Sequence, residues 1–243
     1  MIKGGQRIAT ATGVMLADPA GLGNPPREAR ESWFDPGYWS ARGEFEAVSS
    51  GRGSAWFIGP GDEPWVLRHY RRGGFIARIS ADRYVWRGED RVRAFAEWRL
   101  LQHLRQRSLP VPKPIAAFYR RAGLTYRCDL ITERIADAQP LSAALASSAV
   151  ADNLWRSVGA AIAALHRHGV DHADLNAHNI LLGARSGVSL IDFDRSRLCA
   201  PGAWTSGNLA RLRRSLDKIS AGLPPGRFGA RAWNQLLAGY RAG

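Results

Sequence analysis

The stretch from His172 to Asp194, HADLNAHNILLGARSGVSLIDFD, constrains the chain more than any other part of it. Asp174 and Asn179 are separated by four residues. That interval occurs in phosphoryl-transfer loops whose carboxylate receives a substrate hydroxyl proton while the carboxamide holds magnesium. Ile180-Leu181-Leu182 and Val188-Ser189-Leu190-Ile191 are short apolar runs joined by Gly183-Ala-Arg-Ser-Gly187, the pattern of a β-hairpin with a loop of several residues. Such a hairpin folds Asp192 back beside Asn179, where it supplies a second oxygen ligand. Oxygen ligands suit hard Mg²⁺, which takes its remaining ligands from water and nucleotide phosphates. The pattern therefore points to a nucleotide.

The rest of the composition narrows the classes. Hydrophobic residues make up 45% of the 243 and include nine tryptophans, too much apolar surface for a disordered chain and enough for a sizeable core. Cys128 and Cys199 have no metal spacing with each other, so a reducing cytoplasm is expected. No apolar run approaches the roughly 20 residues of a spanning helix, and the start, MIKGGQRIATATGVMLADPAG, has only a weak apolar region. A chain made in soluble form that stays inside the cell is expected. The net charge of +13 is uneven: residues 49 to 128 carry 16 basic and 6 acidic side chains, residues 129 to 197 carry 6 and 8, and residues 198 to 243 carry 7 and 1. Such a surface attracts phosphate, in nucleic acid, anionic lipid or a phosphorylated glycolipid, or is a solvated arginine-rich face with no ligand.

In chain order, residues 1 to 48 are proline-rich with little periodicity and read as an extended lead-in with short helical pieces around Trp33, Phe34 and Trp39, aromatics expected to pack onto the first lobe. Ser49 to Ile58 reads as strand, glycine turn and strand, and Gly51 and Gly53 allow backbone N–H groups close to phosphates. Trp65 to Tyr70 alternates as a strand carrying Arg68. Arg71, Arg78, Arg83 and Arg87 interleave with Phe75, Ile79, Tyr84 and Trp86, which suits a platform for a phosphorylated amphiphile better than a nucleic-acid surface. Glu89 to Arg107 has a helical stripe of Val92, Phe95, Ala96, Leu100, Leu101 and Leu104. Glu97 shares that face, and a buried carboxylate needs a partner, either Arg68 or an arginine of its own helix. Further helices are expected from an Asp152 cap to His168, from Asn208 to Ser220 and near Arg231 to Tyr240. In and between the last two, Arg211, Arg213, Arg214, Lys218, Arg227 and Arg231 are placed to grip phosphates or an anionic bilayer, or to form a solvated basic face.

The order His172-Ala-Asp174, Asn179 and Asp192-Phe193-Asp194 resembles the catalytic loop and the Asp-Phe-Gly turn of kinases. The strings from His172 to Leu182, Leu67 to Gly74 and Leu109 to Pro114 resemble one branch closely, the 3-deoxy-D-manno-octulosonic acid (Kdo) kinases of the lipopolysaccharide kinase family. What the resemblance implies is an α+β, two-lobed, protein-kinase-like fold. After the lead-in, a small β-rich lobe covers about 49–135 and a reduced, mostly helical lobe about 136–243. It implies ATP and Mg²⁺ as cofactors. Asp174 is then the catalytic base, and Asn179 and Asp192 are the metal ligands. Gly51 and Gly53 belong to a nucleotide lid, Arg68 positioned by Glu97 contacts phosphates, and the Glu133 carbonyl and Ile135 N–H meet adenine, with Thr132 beside the back pocket. The implied acceptor is the 4-hydroxyl of a Kdo residue on a lipid A precursor, at the cytoplasmic face of the inner membrane, whose anionic surface is then a partner. Neither nucleic acid nor an obligate protein partner is expected. Four departures stand out: Arg68 where kinases place lysine, a missing third glycine in the lid, Asp194 for the last glycine of Asp-Phe-Gly, and only 49 residues after Asp194 with no Ala-Pro-Glu. The last leaves no room for a peptide platform and favours a small acceptor or exposed sugar. Two other readings keep the same motifs: a kinase for a heptose, an aminoglycoside or a protein side chain, and a non-catalytic homologue that binds anionic lipid or nucleic acid.

Overall fold

A computed structural model describes residues 5–18, 29–47, 55–59, 64–71 and 82–243. Gly51 and Gly53, together with Phe75, Arg78 and Ile79, lie outside the described residues. The elements in chain order are β1 (Gln6–Ala9), β2 (Val14–Ala17), α1 (Pro36–Ser40), β3 (Phe45–Ala47), β4 (Ala55–Ile58), β5 (Trp65–His69), β6 (Tyr84–Val85), α2 (Arg93–Arg105), β7 (Pro114–Ala122), β8 (Thr125–Glu133), β9 (Ala138–Pro140), α3 (Leu141–Ser147), α4 (Asp152–Arg167), β10 (Val170–Asp171), β11 (Ile180–Gly183), β12 (Gly187–Leu190), β13 (Arg197–Leu198), α5 (Trp204–Ser220) and α6 (Ala230–Ala242). The mixed α+β architecture matches the expected class. Two compact units emerge, Met1–His103 with Lys113–Arg134, and Leu104–Pro112 with Ile135–Gly243.

The first unit is an antiparallel sheet ordered β1-β2-β7-β8-β5-β4-β3, with β6 added to β8. Its spine is β7 and β8, nine residues each, turned at Gly123, whose φ of +58° suits glycine. The lead-in is more regular than its composition suggests: β1 and β2 form a hairpin that pairs with β7, Val14 opposite Tyr119 and Ala17 opposite Ala116. Each strand is only four residues long, too short for alternation to register in the sequence. Gly13 permits this pairing, because a Cβ there would lie 2.1 Å from the Tyr119 carbonyl oxygen. Trp33, Phe34 and Trp39 are buried as expected, with Trp33 and Trp39 packed on Trp65 at ring-centroid distances of 5.0 and 5.9 Å and Phe34 stacked on Phe118 at 5.1 Å.

The helix expected from Glu89 to Arg107 is shorter. Glu89–Arg91 is a 3₁₀ turn, Val92 is extended, and α2 begins at Arg93. Its inward stripe also differs: Ala96 is exposed, whereas Ala94 and Trp98 are buried with Phe95, Leu101 and Leu104. The contact with the sheet is wide enough to enclose a tryptophan on a face that apolar spacing alone assigned to smaller residues. Tyr84 and Trp86, expected in an aromatic platform interleaved with arginines, pack with Tyr126 and Tyr119 at 5.5 and 5.2 Å; Tyr84 is buried and Trp86 half-buried.

The second unit holds the three-stranded sheet β12-β11-β9, the pair β10-β13 and four helices. The β11–β12 hairpin is the one expected, although Gly183 and Gly187 close the ladder rather than belonging to the loop. Helix α4 buries Trp155, Val158, Ile162 and Leu165. Its backbone approaches α6 so closely that a Cβ on Gly159 would sit 2.0 Å from the Leu236 carbonyl oxygen, and one on Gly239 2.0 Å from that of Arg156. Asp152 does not cap α4. It is the first helical residue, and its carboxylate pairs with Arg231 at 2.7 Å. Helices α5 and α6 extend beyond their expected starts, to Trp204 and Ala230. Among the described residues no helix is long and apolar enough to cross a membrane.

Candidate active site

In the second unit, β10 delivers the chain into a loop spanning residues 172–179, and β11 and β12 return it to Asp192. The loop is tied by its own polar groups. Asn176 Oδ1 accepts from the backbone N–H of His178 at 2.8 Å and of Asn179 at 3.3 Å, an Asx-type turn that reverses the backbone within three residues. The Asn179 side-chain amide donates to the Asp174 carbonyl at 2.9 Å, and Asn176 Nδ2 donates to the same carbonyl at 3.1 Å. The Ile191 N–H donates to the Asn179 carbonyl at 3.0 Å, which holds the residue before Asp192 against the loop. The structure thus brings Asp174, Asn179 and the Asp192 backbone into one hydrogen-bonded frame.

Asp174 is exposed while Asn179 is buried. A base that meets a substrate hydroxyl needs that access, and a ligand that orients a cation gains from being fixed. Because Asn179 Nδ2 is engaged by the Asp174 carbonyl, its Oδ1 is the atom left to coordinate. Asp192 has φ +62°, a left-handed conformation that short polar residues tolerate and that clusters at functional positions. The following Phe193 is buried against His172, with ring centroids 4.8 Å apart. A carboxamide oxygen and a carboxylate on a rigid frame form a hard-oxygen donor set, which fits Mg²⁺.

His172 is the anchor beneath the loop. Its Nδ1 accepts from the Asp174 N–H at 3.2 Å, so the proton is assigned to Nε2, which donates to the Ile191 carbonyl at 3.1 Å. Burial pushes its pKa below the ordinary histidine value, which keeps the ring neutral and this tautomer in place. A second layer fixes the loop from α5 and the 194–196 segment. Asn208 Oδ1 accepts from the His172 N–H at 3.1 Å while its Nδ2 donates to Asp171 at 2.9 Å, and Ser196 Oγ accepts from the Ala173 N–H at 3.1 Å. Asn208 and Ser196 carried no sequence signal, because single Asn and Ser residues are common and their partners lie 36 and 23 positions away.

In the first unit, Arg68 on β5 and Glu97 on α2 form a buried ion pair, one of the two partners expected for that carboxylate. Sequence reasoning missed the third member. The Tyr70 hydroxyl donates to the same Glu97 oxygen, accepts from Arg68 Nη2 at 2.9 Å, and lies on a ring beneath the guanidinium, 4.6 Å from its centroid. Burial raises the Tyr70 pKa well above its ordinary value, so it stays a donor. The only available hint was alternation, which puts Arg68 and Tyr70 on one face of an extended strand. Glu133 ends β8, with its N–H donated to the Lys113 carbonyl at 2.8 Å; Thr132 precedes it in the ladder opposite Val66, and Ile135 begins the longer segment of the second unit.

Of the six basic residues near the C-terminus assigned to phosphates or a bilayer, two are already paired, Arg213 with Asp217 at 3.0 Å and Arg231 with Asp152 at 2.7 Å.

The chain has relatives among known proteins. A family model described as "Lipopolysaccharide kinase (Kdo/WaaP) family" matches residues 37–240. A protein of Stenotrophomonas maltophilia (strain R551-3) named 3-deoxy-D-manno-octulosonic acid kinase is 49% identical over 198 residues, covering 79% of this chain and 77% of that protein. Proteins of the same name from Xanthomonas campestris pv. campestris (strain B100) and Vibrio vulnificus (strain YJ016) are 48% identical over 197 residues and 43% over 185. These cover 79% and 76% of this chain, and 77% and 78% of those proteins.

Proposed function

The chain belongs to the lipopolysaccharide kinase (Kdo/WaaP) family, and from that premise we propose that it transfers the γ-phosphate of ATP to the 4-hydroxyl of a Kdo residue on a lipid A precursor. It is a phosphotransferase acting on a hydroxyl group in lipopolysaccharide core biosynthesis. The observation that supports this reading is the frame in which the Asn179 side-chain amide donates to the Asp174 carbonyl and the Ile191 N–H to the Asn179 carbonyl, because it holds the backbone of the loop close to that leading into Asp192. Asp174 orients the acceptor hydroxyl and takes its proton as the oxygen attacks the γ-phosphorus; ADP leaves with the bridging oxygen. Asn179 Oδ1 and the Asp192 carboxylate would hold Mg²⁺, which would supply charge neutralisation at the phosphates when bound. Arg68, held in place by Glu97 and Tyr70, steadies the nucleotide phosphates where other kinases use lysine. Its forked, permanently charged guanidinium suits two oxygens at once. Gly51 and Gly53 cover the phosphates, and the Glu133 carbonyl and Ile135 N–H recognise adenine. The enzyme works at the cytoplasmic face of the inner membrane, drawn to the anionic surface by the excess of basic residues in 49–128 and 198–243. Incubation with Mg·ATP and a Kdo-bearing lipid A precursor, followed by mass spectrometry and fragmentation, tests this reading. One phosphate on Kdo is expected. An unmodified Kdo lipid beside a phosphorylated heptose or aminoglycoside would overturn it.

A further inference from the structure

A cavity of about 360 Å³ opens beside the catalytic loop, lined by Asp171, Ala173, Arg195, Trp204, Asn208 and Arg211, with Arg197 also in its wall. The volume lies within the roughly 300–1,000 Å³ usual for small-molecule sites. Ala173, which lines the cavity, directly precedes Asp174 in the chain. We propose that this cavity is the acceptor subsite and that Arg195 and Arg211 bind the carboxylate of the acceptor sugar. The proposal rests on the Kdo reading above, since an octulosonic acid carries a carboxylate that neutral hexoses and heptoses lack.

Three observations carry it. First, the cavity's acid is already engaged. Asp171 accepts from Asn208 at 2.9 Å and from Arg197 at 3.2 Å, so Arg197 neutralises it and an incoming anion meets little repulsion. Second, two cations remain. Arg195 is in no ion pair among the described residues, and Arg211 has only a long contact, 3.5 Å, to the His172 carbonyl. Third, Arg195 has φ +61°, a conformation that glycine adopts without strain and a long side chain does not. An arginine at a position where glycine is easier points to a use for its side chain. The Trp204 indole, fixed by its N–H to the Ala200 carbonyl at 2.7 Å, supplies an apolar wall for the sugar ring. Because Asn208 and Ser196 tie this wall to His172 and Ala173, a carboxylate seated here sets the hydroxyl's position relative to Asp174.

The test uses the full-length protein and two ligands, free Kdo and its carboxamide, titrated by calorimetry into wild type and Arg195→Gly. This substitution relieves the backbone, so its thermal midpoint is expected at or above that of the wild type and misfolding is checked directly. Kdo is expected to bind wild type at least tenfold more tightly than the carboxamide does, and Arg195→Gly is expected to erase that preference. Turnover on the Kdo lipid is expected to show a raised acceptor KM with the ATP KM unchanged. Equal affinity of wild type for the acid and the amide, or a preference that survives Arg195→Gly, would overturn the subsite even if Kdo is phosphorylated. Absence of phosphate transfer by wild type would overturn the functional reading instead, and the titration would still decide the subsite.

Discussion

Glu97→Ala removes one carboxylate and strands two partners. The carboxylate is buried, with a side chain only 3% exposed, while Arg68 retains 23% exposure. Breaking a buried ion pair by deleting one member costs about 3–5 kcal/mol. Arg68 can turn partly to water, which favours the lower end, but the Tyr70 hydroxyl is buried and loses its acceptor. A net loss of about 3 kcal/mol results, or about 6–12 °C in thermal midpoint at about 2–4 °C per kcal/mol for a chain of this size. Urea unfolding followed by tryptophan fluorescence is the suitable assay, because six of the nine tryptophans, Trp33, Trp39, Trp56, Trp65, Trp86 and Trp98, lie in the first unit. Replacing the whole network with Arg68→Met, Tyr70→Phe and Glu97→Leu separates structure from function. The three polar groups are then removed together, so part of the lost stability should return, whereas the KM for ATP should stay raised by about tenfold or more, the loss of one charged hydrogen bond. A Glu97→Ala protein as stable as wild type would refute the burial argument. A triple variant with wild-type ATP affinity would refute the assignment of Arg68 to the phosphates.

Gly159→Ala places a methyl group 2.0 Å from the Leu236 carbonyl oxygen, so α4 and α6 must part; a loss of about 1–3 kcal/mol is expected, read by chemical denaturation. His69 is held between Asp129 at 2.6 Å and Asp82 at 3.4 Å, and its hydrogen bond to Asp129 raises its pKa above 6.5. The protonated form is therefore favoured by folding. Its stabilisation is complete below pH 6.5 and is lost as pH rises through the raised folded value, so the thermal midpoint should fall over that window in wild type and not in His69→Gln. His172 has the opposite sign. Its lowered pKa means that the unfolded chain takes up the proton first, so stability should decline as pH falls below 6.5 and level off below the folded value; the midpoint of wild type between about pH 7 and 5 at constant ionic strength checks this.

What could be read from the sequence depended on the reach of its signals. The β11–β12 hairpin and the Asp174, Asn179 and Asp192 set are encoded within about 20 residues, so spacing alone was sufficient to group them. Glu97 announced itself as a carboxylate on an apolar face, and the need for a partner led to Arg68. Tyr70 did not, since a tyrosine at the end of a strand reads as core whether or not its hydroxyl is used. The β1–β2 hairpin stayed hidden because four-residue strands carry two inward residues each and depend on β7 for their stability. Asn208, Ser196 and Arg195 were missed for another reason. Their importance lies in bonds to distant backbone groups, or in a backbone angle, and neither leaves a pattern in residue type. The inward turn of Trp98 and Tyr84 shows the same limit, because burial of a large ring depends on the space the sheet provides.

The central claim is that Asp174 is the base of a phosphoryl transfer to a sugar hydroxyl. Its most direct test is the single-turnover rate of Asp174→Asn on the Kdo lipid, with ATP binding measured in the same preparation. The substitution keeps the backbone carbonyl that receives the Asn179 and Asn176 amides, so the frame and ATP affinity should be preserved while the rate falls about 10²–10⁴-fold. A rate within a few-fold of wild type would contradict the claim.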